Sequence, residues 1–595
     1  MKRVESLFRG LAPLLLVLVI LAEARLSLAQ DARNHSLPPE THHQQYLTVR
    51  RLAREIEGWA PVDPKCAPWN CNAGFDLPPE QATPEPFVES TRWLWDQGDK
   101  YPNRSPLHGL PSAALVVLFP GSAAVAALGL RFWFAILLFG VYQLGCMARG
   151  PLTGLLAAVL TAGTPGLFAT AQLHADTTAL GALGTWLVVA ILASDALLRL
   201  RWAFATALLT LALYRCVENA SNMFGVWMGL IAPAMAALIA AVVGFRRDRR
   251  WRRLVGFVLV ATLPIGITIH YLRDESTMTY IRTAVSESHS DWLGQYSLTH
   301  VPQLAFFEEL ARNLVRLPLL AFVLLGLLSL VRSPLQYRWV LLGSFCIPLA
   351  GLTYIGRLGT WYFIPAIPVM MCASAIGLGA IRWAWVRVGV AVGGAAAAMW
   401  MRWSMVYAPK ALMSAAIAAF PNVPALTWLD VAIGPRTVFA WDNLHGRITR
   451  AEGAAAMAIA GVAREMGEGA GPAGRVTRVI ILSDSQHREF ATCWVITLEV
   501  PRSTCLGGVS GWYTAVPNAL WEPDRYDLVA WVDQHGLREL SLDPNDELPQ
   551  EIRTSLDRIN PAEQVGPRAL LEHLRDLSWQ PVAVSGGTVH RRIRP

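Results

Sequence analysis

The chain has 595 residues, 53% hydrophobic and 16% charged, with a mean hydropathy of +0.35. Soluble domains carry about 25% charged residues, so the composition excludes an ordinary soluble enzyme and implies a polytopic membrane protein. The net charge of +7 does not point to nucleic acid: the arginines fall in short clusters beside apolar segments, Arg199/Arg201, Arg246 to Arg253, Arg332/Arg338 and Arg382/Arg387. That pattern marks cytoplasmic loops, and no nucleic-acid partner is expected.

In chain order, Met1 to Arg9 is basic and Gly10 to Ala22 apolar. Ser27-Leu28-Ala29 resembles a signal-peptidase site, but Glu23 and Arg25 interrupt the approach to it and Leu26 to Ala29 extends the run toward spanning length. We read an uncleaved first helix, residues 1–29. A polar stretch rich in Pro, His and Trp follows, within a loop region taken as 30–123. Its last part, Leu110 to Pro120, is apolar but too short to cross, and reads as a helix lying in the membrane interface.

A helical core, 124–403, then offers spans at Ala124–Met147, Leu152–Leu173, Thr177–Leu198, Trp202–Val217, Met223–Val243, Leu254–Leu272, Leu314–Val331, Trp339–Tyr354, Trp361–Ile381 and Val388–Trp403. With the first helix this makes about eleven, which puts the C-terminus opposite the N-terminus. The arginine clusters then fall on one side; Asp176, Glu218 and the acidic segment Asp274 to Glu309 fall on the other.

Cys146, Cys216, Cys346 and Cys372 lie in or beside apolar runs and read as inert thiols. Cys66/Cys71 and Cys493/Cys505 lie in polar regions without His or Cys at zinc spacing, and read as disulfides in an oxidising compartment. Both pairs land on the outer side of that topology. With the Ala, Arg and Gly usage, the expected location is a bacterial inner membrane, N-terminus cytoplasmic and C-terminal region periplasmic.

From residue 404 the composition changes to that of a soluble α/β domain. Val438 to Trp441, Arg478 to Leu482, Trp494 to Val500 and Leu528 to Val532 read as strands; Arg450 to Gly467, Pro549 to Ile559 and Pro567 to Leu577 read as helices. The expected fold is therefore an α-helical polytopic membrane protein with a C-terminal soluble α/β domain.

Charges that are costly in a bilayer gather near the outer helix ends at Asp176, Arg215, Glu218 and Arg357. A transporter would more often place polar groups at the midplane; an enzyme acting on a lipid headgroup would place them at an end. Four segments carry a resemblance. They are Pro39-Glu40-Thr41-His42-His43, Arg104-Ser105-Pro106-Leu107-His108-Gly109 leading into the short apolar helix, Leu173-His174-Ala175-Asp176-Thr177, and Arg357 to Pro368 with Tyr362 inside it. In order, they resemble the acidic outer-loop motif, the interfacial-helix segment, the acid after the third helix and the Arg-Tyr-x-x-Pro-x-x-Pro segment of GT-C glycosyltransferases, the protein O-mannosyltransferase and lipid A aminoarabinose transferase type. The likeness covers roughly the first 400 residues by order of parts. It departs at Glu40, a single acid where the family shows Asp-Glu, with Asp31, Asp63 and Asp76 as alternatives. It departs again at Thr177, where the family has proline.

The resemblance implies inverting transfer of a sugar from a polyprenyl phosphate to a glycan, lipid or protein acceptor outside the membrane. An acceptor hydroxyl needs a carboxylate base as attack begins, a role that falls to Glu40. The departing phosphate needs fixed cations and donors, supplied by Arg104, Arg215 and Arg357 with Tyr362. Asp176 either orients the acceptor or shares a divalent cation with Glu40; the family contains metal-dependent and metal-independent members, and no metal ligand is assigned. His43, His108, Trp95 and Glu218 are placed against acceptor or sugar. Each has a plainer reading: Asp176 as a helix N-cap, Arg215/Glu218 as an ion pair at a helix end, Trp95 as part of an interface belt and His108 as an interfacial residue. The competing functions are a transporter or flippase of lipid-linked glycans, or a non-catalytic membrane sensor.

Overall fold

The computed structural model describes residues 2–33, 49, 52–53, 56–57, 60–61, 76–77, 106–170, 176–195, 197–216, 251–273, 310–333, 335–355, 363–407, 419, 450–468, 476–483, 486–507, 526–543, 545–547, 550 and 574–593. The helices of the first 407 residues are α1 (Lys2–Arg33), α2 (Leu110–Leu118), α3 (Ala123–Arg149), α4 (Pro151–Ala162), α5 (Pro165–Thr170), α6 (Asp176–Ala193), α7 (Leu200–Cys216), α8 (Trp251–Arg273), α9 (Leu317–Ser329), α10 (Leu335–Ile355), α11 (Ile367–Gly379) and α12 (Ala384–Tyr407). Met223–Val243 lies outside the described residues; the other expected spans all contain helix. Among the described residues, Arg131–Arg149 and Ala384–Trp403 are long and apolar enough to cross a membrane, and shorter apolar helical stretches of 10–17 residues lie at Leu107–Leu118, Pro151–Ala162, Thr177–Ala193, Leu200–Leu213, Leu317–Arg332, Arg338–Leu349 and Ile364–Gly379.

Several expected spans are short because the backbone is interrupted. Leu152–Leu173 is two helices, α4 and α5, parted at Gly163–Thr164 where Pro165 cannot continue the hydrogen-bond ladder. Leu314–Val331 begins as a π-turn over Leu310–Leu314, and α9 starts only after Arg316, whose φ is +71°. Trp361–Ile381 enters through a 3-10 turn, Ile364–Ala366, before α11. Proline at N1 or N2 suits each of these starts, since its missing N–H would have no intrahelical partner there.

The bundle is held by α11, of which Ile367 to Leu378 are all buried. It meets α9 at small residues: Gly326 faces Ser374 and Gly377 with no room for a Cβ. Gly145 and Gly154 do the same between α3 and α4, and Gly163 against Ala398 between α4 and α12. Small residues let helix backbones approach where hydrophobic burial gives little discrimination between neighbours. The outside of the bundle is apolar, with Leu18 and Leu21 of α1, Leu328 of α9 and Val392 of α12 exposed. A continuous apolar exterior of this kind is what a bilayer covers.

Helix reversals place the arginines together. Gly150, with φ +97°, turns α3 into α4 directly after Arg149. Arg149 donates to the Gly379 carbonyl at 3.5 Å, joining the ends of α3 and α11. Arg253, at the start of α8, donates to the Asp195 carbonyl in the α6–α7 turn at 3.1 Å. Gly377 packs on Gly326 and Leu330, so the α9–α10 turn lies at this end too. Arg199, Arg201, Arg332, Arg338, Arg382 and Arg387 all occupy these connections.

The opposite end carries the C-terminal unit: α13 (Arg450–Glu468), β1 (Thr477–Ser483), α14 (Gln486–Glu499), β2 (Ser503–Gly507), β3 (Leu528–Asp533), β4 (Gly536–Arg538), β5 (Trp579–Val584) and β6 (Gly587–Arg592). The sheet order is β2-β1-β3-β6-β5, with β4 also on β3; β1 is parallel to β2 and β3, and the remaining pairs are antiparallel. The expected strand over Trp494 to Val500 is instead the second half of α14. Its two faces are both covered, which removes the polar side that would reveal a helical period. Cys493, Ile496 and Val500 face the sheet, and Trp494, Val495 and Leu498 join Val49, Leu52 and Ala53 with Ala113 of α2 and Ala126 of α3. The α/β unit is thus seated on the interfacial helix. A disulfide links Cys493 in α14 to Cys505 in β2; Cys66 and Cys71 lie outside the described residues, as do Val438 to Trp441. Of Pro549 to Ile559 only residue 550 is described. Of Pro567 to Leu577 the described part starts at Leu574.

His590 in β6 is buried and its ring nitrogen pairs with the Leu540 carbonyl. Burial pulls the imidazole below its ordinary pKa of 6.5, against a smaller upward pull from that bond. A depressed histidine is neutral when folded, while the unfolded chain takes up a proton near pH 6.5. Stability is therefore full above pH 6.5 and falls as pH drops from there toward the folded value. Hydrogen exchange of the β3 and β6 amides is expected to accelerate between pH 7 and pH 5.5 after correction for intrinsic rates. His590→Gln should flatten that dependence; an unchanged slope would remove His590 as its source.

Candidate active site

Three of the sequence-derived site residues belong to described elements. His108 sits in the 3-10 turn Pro106–Gly109 and is 1% exposed, not a surface residue of the interface. Its carbonyl accepts the Trp133 indole N–H at 2.8 Å, and Val49 closes over Gly109. Asp176 is the first residue of α6 and Arg215 is next to last in α7. Glu40, His43, Trp95, Arg104, Glu218, Arg357 and Tyr362 lie outside the described residues.

The topology brings these elements to one end. Because α7 runs back along α6, Arg215 returns to the level of Asp176. The Pro106–Gly109 turn packs against both helices. Gly181, five residues into α6, faces Pro365 and Pro368, each 3.6 Å from where a Cβ would stand. The turn entering α11, which directly follows Tyr362, therefore lies beside the start of α6. The end opposite the arginines gathers His108, Asp176, Arg215 and the entry to α11.

A buried charged set lies toward the same end. Arg402 of α12 donates through Nε to the Glu23 carboxylate of α1, and both side chains are nearly sealed, at 4% and 8% exposure. The guanidinium rests on the Phe168 ring of α5, its central carbon 3.0 Å from the ring centroid. Gly166 of α5 in turn abuts the Leu314 backbone, two residues before the buried Arg316. Two interrupted helices are thus packed together beside an ion pair joining the first helix to α12. Irregular backbone at membrane depth persists only where protein buries it or a wet cavity reaches it.

Glu23, Arg316 and Arg402 were not assigned to the site from sequence. The available signal was the cost of ionisable groups inside apolar runs; Glu23 was weighed only against signal-peptide cleavage, and the two arginines were absorbed into spans. Among the described residues no three His, Cys, Asp or Glu side chains come together as a metal site.

No family model matches the sequence, and no curated protein matches it. By structure the chain is similar to ArnT from Cupriavidus metallidurans bound to undecaprenyl phosphate, with TM-score 0.51, 13% identity and 98% of each chain covered. It is similar to the apo form of that protein at TM-score 0.50 and 12% identity, covering 98% of this chain and 97% of the other. The chain shares the overall fold of that protein. A weaker likeness, TM-score 0.42 at 11% identity over 88% of this chain and 70% of the other, is to the archaeal oligosaccharyltransferase AglB from Archaeoglobus fulgidus in complex with an inhibitory peptide and a dolichol-phosphate. The likeness in fold to ArnT covers 98% of the chain and so extends through the α/β unit, well past the roughly 400 residues in which the sequence motifs lie.

Proposed function

We propose that this chain is an integral membrane glycosyltransferase that moves a sugar, with inversion, from a polyprenyl-phosphate donor to a glycan, lipid or protein acceptor at the end of the bundle opposite the arginine clusters. The observation that carries the reading is the end-to-end fold likeness to ArnT, whose structure holds undecaprenyl phosphate. The charge pattern supports a cytoplasmic arginine end; in this reading the α/β unit and the transfer site lie on the periplasmic face of a bacterial inner membrane.

In this reading Glu40 accepts the proton of the attacking hydroxyl, and Asp176 at the head of α6 orients the acceptor. Arg215 at the end of α7, with Arg104, Arg357 and Tyr362, meets the charge that develops on the departing phosphate. His43, His108, Trp95 and Glu218 line the acceptor side, His108 from a buried turn and therefore through a fixed geometry.

The test is reconstitution into vesicles with a radiolabelled polyprenyl-phosphate sugar and glycolipid, polysaccharide and protein acceptors. Transfer is expected, with Glu40→Gln lowering the rate about a hundred-fold or more and Asp176→Asn raising KM for the acceptor. Sugar crossing the bilayer without any acceptor being modified would favour the flippase. Full activity in both variants would remove these two acids from the site.

A further inference from the structure

The arginine end contains a junction that the transfer reaction does not use. Arg149 ends α3, and its side chain crosses Gly379, the last residue of α11. The Arg149 Cδ and the Thr153 hydroxyl lie 3.1 and 3.2 Å from the point where a Gly379 Cβ would stand. Arg387 lies in the first turn of α12, eight residues after Gly379. Both arginines are exposed, and Arg382 is exposed in the link between α11 and α12. Among the described side chains of this end the one carboxylate is Asp195, in the α6–α7 turn, where its backbone carbonyl holds Arg253. Two exposed guanidinium groups therefore stand at this junction, with Gly379 offering a carbonyl but no counter-charge.

The surroundings are those of a lipid rather than of free solvent. Trp383 and Trp385 flank the junction at 69% and 79% exposure, and Val388 and Val392 are exposed farther along α12. Trp251 and Trp339, beside Arg252 and Arg338, extend this belt of exposed indoles at the same level. Indole rings at this depth mark the headgroup layer, and basic pockets between helix ends bind anionic headgroups.

We propose that Arg149 and Arg387 clamp the headgroup phosphate of an anionic glycerophospholipid at the junction of α3, α11 and α12. Its acyl chains lie along the exposed Val388–Val392 side of α12, and its phosphate supplies the counter-charge that the junction's described side chains lack. The site is separate from the transfer site and does not depend on which sugar is moved.

The experiment compares the full-length protein in phosphatidylcholine nanodiscs with and without phosphatidylglycerol, following thermal unfolding and lipid retention by native mass spectrometry. Phosphatidylglycerol is expected to raise the melting temperature and to be retained. R149Q/R387Q should bind it roughly twenty-five-fold more weakly, about five-fold for each arginine near an anionic surface. R252Q/R201Q, which removes the same charge elsewhere on this end, should bind almost as well as the unaltered protein. Equal loss in both double variants, or the same stabilisation by inorganic phosphate, would overturn the proposal. If R149Q/R387Q melts lower in phosphatidylcholine alone, the single variant R387Q decides, because Arg387 is exposed; a loss of about five-fold supports the clamp and unchanged retention refutes it.

Discussion

Glu23→Gln is expected to lower the unfolding free energy by about 3–5 kcal/mol, and Arg402→Gln by a similar amount. The reason lies in the asymmetry of buried ion pairs. Bringing both charges out of water costs much of what their attraction returns, whereas deleting one partner strands the other in a low-dielectric site. Here the stranded group would be Arg402, 4% exposed, or Glu23, 8% exposed. The Phe168 ring under Arg402 offsets about 2 kcal/mol for a desolvated cation, less than the loss expected on removing the carboxylate. The paired replacement Glu23→Leu with Arg402→Met should recover most of the loss, because a well-packed apolar pair of similar volume is often neutral or better. Thermal unfolding in a fixed detergent, with the four proteins side by side, shows whether the paired replacement recovers what each single loses. If the singles melt with the unaltered protein, the pair is solvated and its burial is wrong. A recovered melting temperature with lost sugar transfer would show that the pair holds α5 and the start of α6 for chemistry rather than for stability.

That pair also marks where reading a sequence of this kind runs out. Long apolar runs announced the bundle because lipid imposes the same requirement on every span, and α3 and α12 appear almost where expected. Interruptions inside spans were less visible. Thr161-Ala162-Gly163-Thr164-Pro165-Gly166 holds the turn chemistry for a break, yet its apolar flanks read as one helix. Arg316 gives no sign of a positive φ in its residue type; its N–H closes onto the Leu310 carbonyl and its carbonyl accepts from Leu320, so the backbone turn between two helical segments sets the conformation.

In the α/β unit, β1 and β3 were legible as continuous apolar runs, the form taken by central strands covered on both faces. The hairpin of β5 and β6 is not among the strands expected from sequence, although Gly586-Gly587 signals its turn; β5 tolerates Pro581 by lying at the sheet edge. As for the site, the order of motifs along the chain placed Asp176, Arg215 and His108 at one end, and helix reversal alone accounts for that. Pairing across 379 positions, as in Glu23 and Arg402, has no local signature at all.

Gly377→Ala is expected to destabilise the protein by at least about 1–3 kcal/mol, and Gly377→Leu to prevent stable insertion. A Cβ at Gly377 would meet the Gly326 carbonyl oxygen of α9 and stand 2.9 Å from the Leu330 nitrogen. Both are backbone atoms, so no side chain can rotate away, and α9 and α11 must separate. Gly389→Ala is the internal contrast: nothing lies within 4 Å of its Cβ position in α12, and alanine favours helix over glycine by about 1 kcal/mol. It should be neutral or stabilising. Cell-membrane yield and detergent melting temperature of the two alanine variants measure the difference. Equal melting would mean that α9 and α11 do not touch at Gly326. The consequence reaches the transfer site, because α11 is rigid, fully buried from Ile367 to Leu378, and begins at the turn beside Asp176. Prying its far end from α9 tilts that turn. Surviving Gly377→Ala protein is therefore expected to lose sugar transfer beyond its loss of yield, while Gly389→Ala keeps both.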